Sequence, residues 1–162
     1  MNIKDLLRFN IDISQNITKA YLSDVTKEEM LARAVPGSNH IAWQLGHLIA
    51  SERSMLEAIG ADVPDLPAGF ADAHGKENID NDDASQFHSK ETYFELMEQM
   101  HKAAQAAIDK TDEAAMDAPA PESMRSFFPT VGSILLMTGT HEMMHAGQIA
   151  AIRRKLGKPV VI

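Results

Sequence analysis

The chain has 162 residues, 44% of them hydrophobic, a net charge of -8 and no cysteine. That is enough apolar material for one domain with a sizeable core, and the missing cysteine removes disulfides, thiolate metal sites and a cysteine nucleophile. The acidic balance argues against a nucleic-acid partner, whose affinity would come from Lys and Arg, and no apolar run reaches the length of a membrane span.

The first helix is expected over residues 2–22, where Ile3, Leu6, Leu7, Ile13, Ile17 and Tyr21 recur at helical spacing. This start mixes charge with apolar positions and lacks the continuous apolar segment of a secretory signal, so a cytoplasmic protein is expected. A modest connection, 23–37, follows. The second helix is expected from Ser38 to Ile59, with Gly60 closing it and a stripe of Ile41, Leu45, Leu48, Ile49, Met55, Leu56 and Ile59. Residues 61–87 form a long linker carrying Pro64, Pro67, Gly69, Gly75 and the acidic run IDNDD. That run lacks the spacing and terminal Glu of a calcium loop and reads as a solvated loop. A linker of this length suits a segment that crosses the domain, returning along a helix of about 33 Å.

The third helix is expected over 88–110, with Tyr93, Leu96, Met97, Met100, Ala103, Ala104, Ala107 and Ile108 on its apolar side. After a linker with Pro119 and Pro121, the fourth runs from Pro129 or Thr130 to Lys155 or Leu156, stopped by Gly157 and Pro159. The cluster Arg153, Arg154, Lys155 and Lys158 then offsets the helix dipole. No segment alternates with period two. The expectation is a single all-α domain over residues 1–162, a four-helix bundle of up-down-down-up order with a long crossover between helices two and three.

The fourth helix contains HEMMHAGQ, residues 141–148, a match to H-E-x-x-H. His141 and His145 lie four apart in step with Ile134, Thr138 and Ile152, so they face inward and can grip one ion. A protease of this motif takes its third ligand downstream, but the 17 residues after His145 contain no His, Asp or Glu. The third ligand must come from upstream. His74 and His88 are expected at the surface, and His101 beside the core stripe of helix three. In HIAWQLGHLIASE, residues 40–52, His40 and His47 share a face but stand about 10.5 Å apart, too far to hold one ion together. His47 sits near the middle of helix two, as the pair does in helix four, and Gly46 beside it permits close approach. The expected ligands are His47, His141 and His145. Three protein ligands with an open position is the pattern of a catalytic site. Imidazole ligation suits zinc, nickel, iron or copper, and the ion would supply Lewis acidity toward water or a low-molecular-weight thiol.

Glu142 is the residue that serves as general base in H-E-x-x-H proteases. Here it is rotated about 100° from His141, so a base role competes with a surface or interface role. His40, Gln44 and Gln148 are candidates for the partners that orient ligating imidazoles. Trp43 and Met143, off the main stripes, are candidates for a dimer interface.

HIAWQLGHLIASE and the block PTVGSILLMTGTHEMMHAGQIAAIRRKLGKP, residues 129–159, together resemble the DinB/YfiT-like superfamily. The first block is similar to that family's helix-two motif ending in a ligand histidine, the second to its last helix with His-x3-His-x-Gly-Gln-Ile. The resemblance implies an up-down-down-up bundle, often a homodimer, with a divalent transition metal on His47, His141 and His145. Zinc or nickel is the first expectation and iron the next. It also implies a small-molecule substrate and either hydrolysis or transfer to a low-molecular-weight thiol, as in mycothiol-dependent maleylpyruvate isomerase and bacillithiol transferases. The other readings are a non-catalytic metal-binding stress-response protein and a plain dimeric bundle with two structural histidines.

Overall fold

Helix starts are set by side chains that satisfy backbone N–H groups with no partner in the first turn. In the computed structural model, which describes residues 2–159 and 161–162, Asn2 and Asp5 form a reciprocal capping box at helix α1, Ile3–Leu22. Helix α2, Ile41–Ala58, starts later than the punctuation suggests, because His40 is its cap. His40 Nδ1 accepts from the Trp43 N–H, which leaves Nε2–H to donate to the Asn81 carbonyl. Ser89 caps α4, Lys90–Lys110. Thr130 and Ser133 cap α6, Val131–Lys155, and Gly157 takes a φ of 70° just beyond its end. Two short helices, α3 (Phe70–Ala73) and α5 (Glu113–Asp117), lie in the connections. No strand occurs among the described residues, only an isolated bridge between Pro119 and Thr130. The fold is all-α, as expected.

Helix α1 packs on α6, α2 on both α4 and α6, and α1 also on α4. The enclosed core has two large apolar clusters and a small third one of Met55, Ala120 and Ile134. One large cluster joins Leu22, Ile41, Leu45, Met97, Ile149 and Ile152; the other joins Leu7, Ile11, Leu56, Ile108 and Leu135. Between them each long helix contributes polar side chains: Ser14, Gln15 and Thr18 from α1, Glu52 from α2, His101 from α4, and Thr138, Glu142 and His145 from α6. Every one of these helices thus crosses from apolar to polar to apolar along its buried face.

That layer explains the main departure from the expected stripes. In α1 the buried positions are Leu7, Ile11, Ser14, Gln15, Thr18 and Leu22, whereas Ile3, Leu6 and Ile13 are exposed. Periodicity selected the apolar arc, but the arc that packs is half polar because it meets the polar layer. Met144 of α6 is likewise exposed. Arg153 is not a solvated helix-end charge. It is buried, pairs with Asp24, and donates to the carbonyls of Tyr21 and Pro159. Lys158 reaches Asp24 and Glu29, so this cluster ties the end of α6 to the segment after α1. The long linker is built rather than free. Phe70 and His74 are buried, and Trp43 Nε1 donates to the Gly75 carbonyl. No helix among the described residues is long and apolar enough to cross a membrane.

Candidate metal centre

His47 from α2 meets His141 and His145 from α6 where these helices pack together. One ligand atom from each lies within 4.8 Å of the others, and they form the one such group of His, Asp and Glu among the described residues. The rings of His47 and His141 stand edge to face with centroids 5.2 Å apart, and those of His141 and His145 with centroids 4.9 Å apart. The three residues expected from spacing are the three brought together.

The surroundings leave these rings suited to ligation. Gln44 Nε2 donates to the Asn39 carbonyl, which turns Gln44 Oε1 toward His145. An amide oxygen only accepts, so His145 carries its proton on Nδ1 and leaves the Nε2 lone pair free. Of the three, only His145 has a hydrogen-bond partner among the described residues. His47 stacks on Trp43, with centroids 4.8 Å apart and planes within 7°. Burial lowers all three pKa values: His145 to about 3, with the neighbouring His141 and His47 adding to the effect, and His47 to about 4, with His141 and Lys76 adding. The imidazoles are therefore neutral near pH 7, the form that ligates a metal. The donor set fits a divalent transition ion.

The other candidates fall elsewhere. Gln148 is exposed. His40 is the α2 cap. Trp43, at 3% exposure, lies inside this chain and forms no interface. His74 is not at the surface. It is 1% exposed, donates from Nδ1 to the Phe70 carbonyl and accepts at Nε2 from the Tyr93 hydroxyl, both at 2.7 Å. Its ring lies over Gly46, where a Cβ would come within 2.0 Å of it. Gly46 thus permits a close approach, but by the linker rather than by α6. His88 is half-buried and its ring stacks on Phe70. His101 flanks the core and contacts Asp12 at 3.0 Å.

Glu142 is buried, at 9% exposure, on the side of α6 that faces α1. Burial raises its carboxyl to about 7, while Thr18, Lys19 and Ser14 partly offset the shift. Glu52, absent from the sequence reading, has a carboxyl enclosed by protein atoms. Burial and the nearby Glu142 raise it to about 8, although part of the residue keeps some surface. The two carboxyls line a cavity of about 10 Å³ with Gln15, Thr138, His101 and His141. Glu142 Oε1, Thr18 Oγ1 and His101 Nδ1 have no hydrogen-bond partner. One signal for Glu52 was available: it lies four residues from both Leu48 and Leu56, a charge inside an apolar stripe. A larger pocket of about 630 Å³ opens on the other side, lined by His47 and His141 together with Met55, Phe128, Met137 and Met144. His141 borders both spaces.

A crystal structure described as that of a conserved protein of locus from Enterococcus faecalis superposes with a TM-score of 0.72 at 16% identity, over 98% of this chain and 99% of that one. This likeness concerns the fold. No curated protein matches the chain. The family model described as DinB superfamily matches residues 10–149. That span takes in α2 and α4 whole, the greater part of α1 and α6, and all three clustered histidines, and the chain belongs to the DinB superfamily.

Proposed function

We propose that the chain is a metal-dependent enzyme that holds one divalent transition ion, zinc or nickel before iron, on His47, His141 and His145. The observation that carries this reading is the convergence of three neutral imidazoles beside a pocket large enough for a small organic molecule. A bound ion supplies Lewis acidity toward water or a low-molecular-weight thiol. His47 and His141 are partly accessible from the pocket, while Gln44 and Trp43 hold His145 and His47 in orientation. Met137 and Met144 line the pocket without closing it, which favours catalysis over metal storage.

Glu142 is the general base in this reading. Its carboxyl near 7 is matched to proton transfer at neutral pH. It lies in the small cavity behind His141 and not in the larger pocket, so the proton has to reach it through that cavity. Glu142→Gln is then expected to lower turnover at least a hundredfold while metal content stays unchanged. Unaltered turnover would leave Glu142 as a core residue.

The first test is elemental analysis of tag-free protein and of His145→Ala. About one ion per chain, lost in the variant, is the expected result. No metal as purified, and none taken up from zinc or nickel, would end the enzyme proposal. Assays of hydrolysis and thiol transfer on the loaded protein then separate the two reactions.

We also propose a homodimer. Its support is the exposed apolar row Ile3, Leu6, Phe9 and Ile13 on α1, with Phe9 62% exposed, beside the exposed Leu136 of α6. Phe9→Glu is expected to yield monomers in light scattering. A wild-type chain that is already monomeric would refute the pairing.

A further inference from the structure

We propose that the pocket beside His47 and His141 binds a small organic anion with an apolar body, its anionic group held at Lys76. The inference rests on the metal-site reading only for its purpose, because His47 and His141 are the only proposed ligands in the lining and the apolar walls and Lys76 come from other residues.

Four observations carry it. The pocket, of about 630 Å³, has a volume suited to a ligand of drug-like size. Its walls are largely apolar, with Met55, Phe127, Phe128, Met137 and Met144 prominent. Methionine and aromatic side chains adapt to flat, polarisable ligands. Second, no Asp or Glu lines it, although the chain carries 23 acidic residues against 15 basic ones. Glu52 and Glu142 lie with His141 in the separate small cavity, and Glu77, whose carboxylate stands close to Gly75, is outside the lining. Third, Lys76 is the one Lys or Arg among the lining residues, and it forms no ion pair among the described residues. Most of the other basic side chains are committed to carboxylates, as in the pairs Lys19–Glu98, Arg33–Asp82 and Arg153–Asp24. Fourth, Lys76 follows directly on Gly75, whose carbonyl is fixed by the Trp43 indole N–H, and Trp43 in turn stacks on His47. The same short chain of contacts that positions a histidine of the cluster positions the cation.

A ligand seated this way would place its apolar body between the methionine and phenylalanine walls and its anion at Lys76, with the intervening atoms facing His47 and His141. A cationic ligand meets Lys76 unfavourably and finds no carboxylate in the pocket. A neutral one gains only the apolar contacts.

The test is calorimetric titration of full-length, tag-free protein, as purified and after zinc loading. Three probes of one shape are compared: naphthalene-2-sulfonate, 2-naphthalenemethanol and 2-naphthylmethylamine. Sulfonates ligate zinc poorly, so direct metal binding contributes little. The sulfonate is expected to bind about tenfold or more tighter than the alcohol, and the amine weakest. Lys76→Met should bring the sulfonate down to the level of the alcohol. Met144→Glu, which adds a carboxylate to the exposed wall, should weaken the sulfonate and spare the alcohol. Equal binding of the three probes would overturn the proposal. So would sulfonate binding that is unchanged in Lys76→Met, or that appears only with zinc. Lys76-dependent binding in a protein that takes up no metal would sink the metal reading and leave this one standing. A loaded metal with no preference among the probes would do the reverse.

Discussion

His145 shows how much of this site depends on single side chains. Its Nδ1–H is held by Gln44 Oε1 at 3.0 Å, and Gln44 is itself fixed by donating to the Asn39 carbonyl. Removing that acceptor frees the tautomer and the ring angle. Gln44→Leu is therefore expected to weaken metal affinity 10- to 100-fold, whereas Gln44→Glu, which keeps an acceptor, should retain most of it. Competition against a chromophoric chelator measures both. Equal affinity in wild type and Gln44→Leu would show that the hydrogen bond does not orient the ligand. Gln44 was readable as a candidate partner from its place one turn before His47. Which of Gln44, His40 and Gln148 plays that part was not, because it depends on how α2 and α6 face each other.

At the scale of elements, the contact that matters most is between α2 and the linker that follows it. The His74 ring rests on Gly46 and cannot swing aside, since both its nitrogens are hydrogen-bonded inside the protein. Gly46→Ala should destabilise the chain by about 1–3 kcal/mol, the usual cost of overpacking. In a His74→Ala background the same change should cost much less, because the two residues are coupled. Urea unfolding of the four proteins measures that coupling, and additive effects would mean that the two do not compete for space. Gly139 on α6 makes a comparable approach, with the Asn10 backbone 2.7 Å from where its Cβ would be. Helices α1 and α6 pack tightly at that point, next to the histidine pair.

The whole molecule carries buried acids and buried histidines whose protonation acts on stability in opposite senses. Burial lowers His74 to about 4, His47 to about 4 and His145 to about 3. As pH falls below 6.5 the unfolded chain takes up protons that the folded chain refuses, so these groups make stability fall with falling pH. Glu52, raised to about 8, and Glu142, raised to about 7, act the other way. Above their ordinary value of 4.5 the unfolded chain releases protons that the fold retains, so stability falls as pH rises. Between 4.5 and 6.5 the two effects oppose. From 6.5 to 8 only the acids remain, and metal-free protein should lose on the order of 2 kcal/mol through Glu52. Urea unfolding at four pH values across that window is the check. Glu52→Gln should flatten the slope, and a wild-type slope of zero would mean that the carboxyl ionises freely in the fold.

The amino-acid sequence by itself determined the four long helices, though not the short α3 and α5 in the connections, because caps such as Ser89 and Thr130 and the breaks near Gly60 and Gly157 act over a few residues. It also singled out the histidine trio that the fold gathers, because a four-residue repeat places His141 and His145 on one face, no His, Asp or Glu follows them, and His47 lies at the matching level of helix two. What it could not determine is which face of α1 packs inward. That choice went to Ser14, Gln15 and Thr18 over Ile3, Leu6 and Ile13, since the facing helices bring a polar layer and not an apolar one to that level. The burial of His74, Glu52 and Glu142 and the acid-free pocket around Lys76 belong to the same class. Each arises from residues far apart in the chain meeting in space, where desolvation and neighbouring charge depend on every element present; only Glu52, a charge inside an apolar stripe, left a local sign of it.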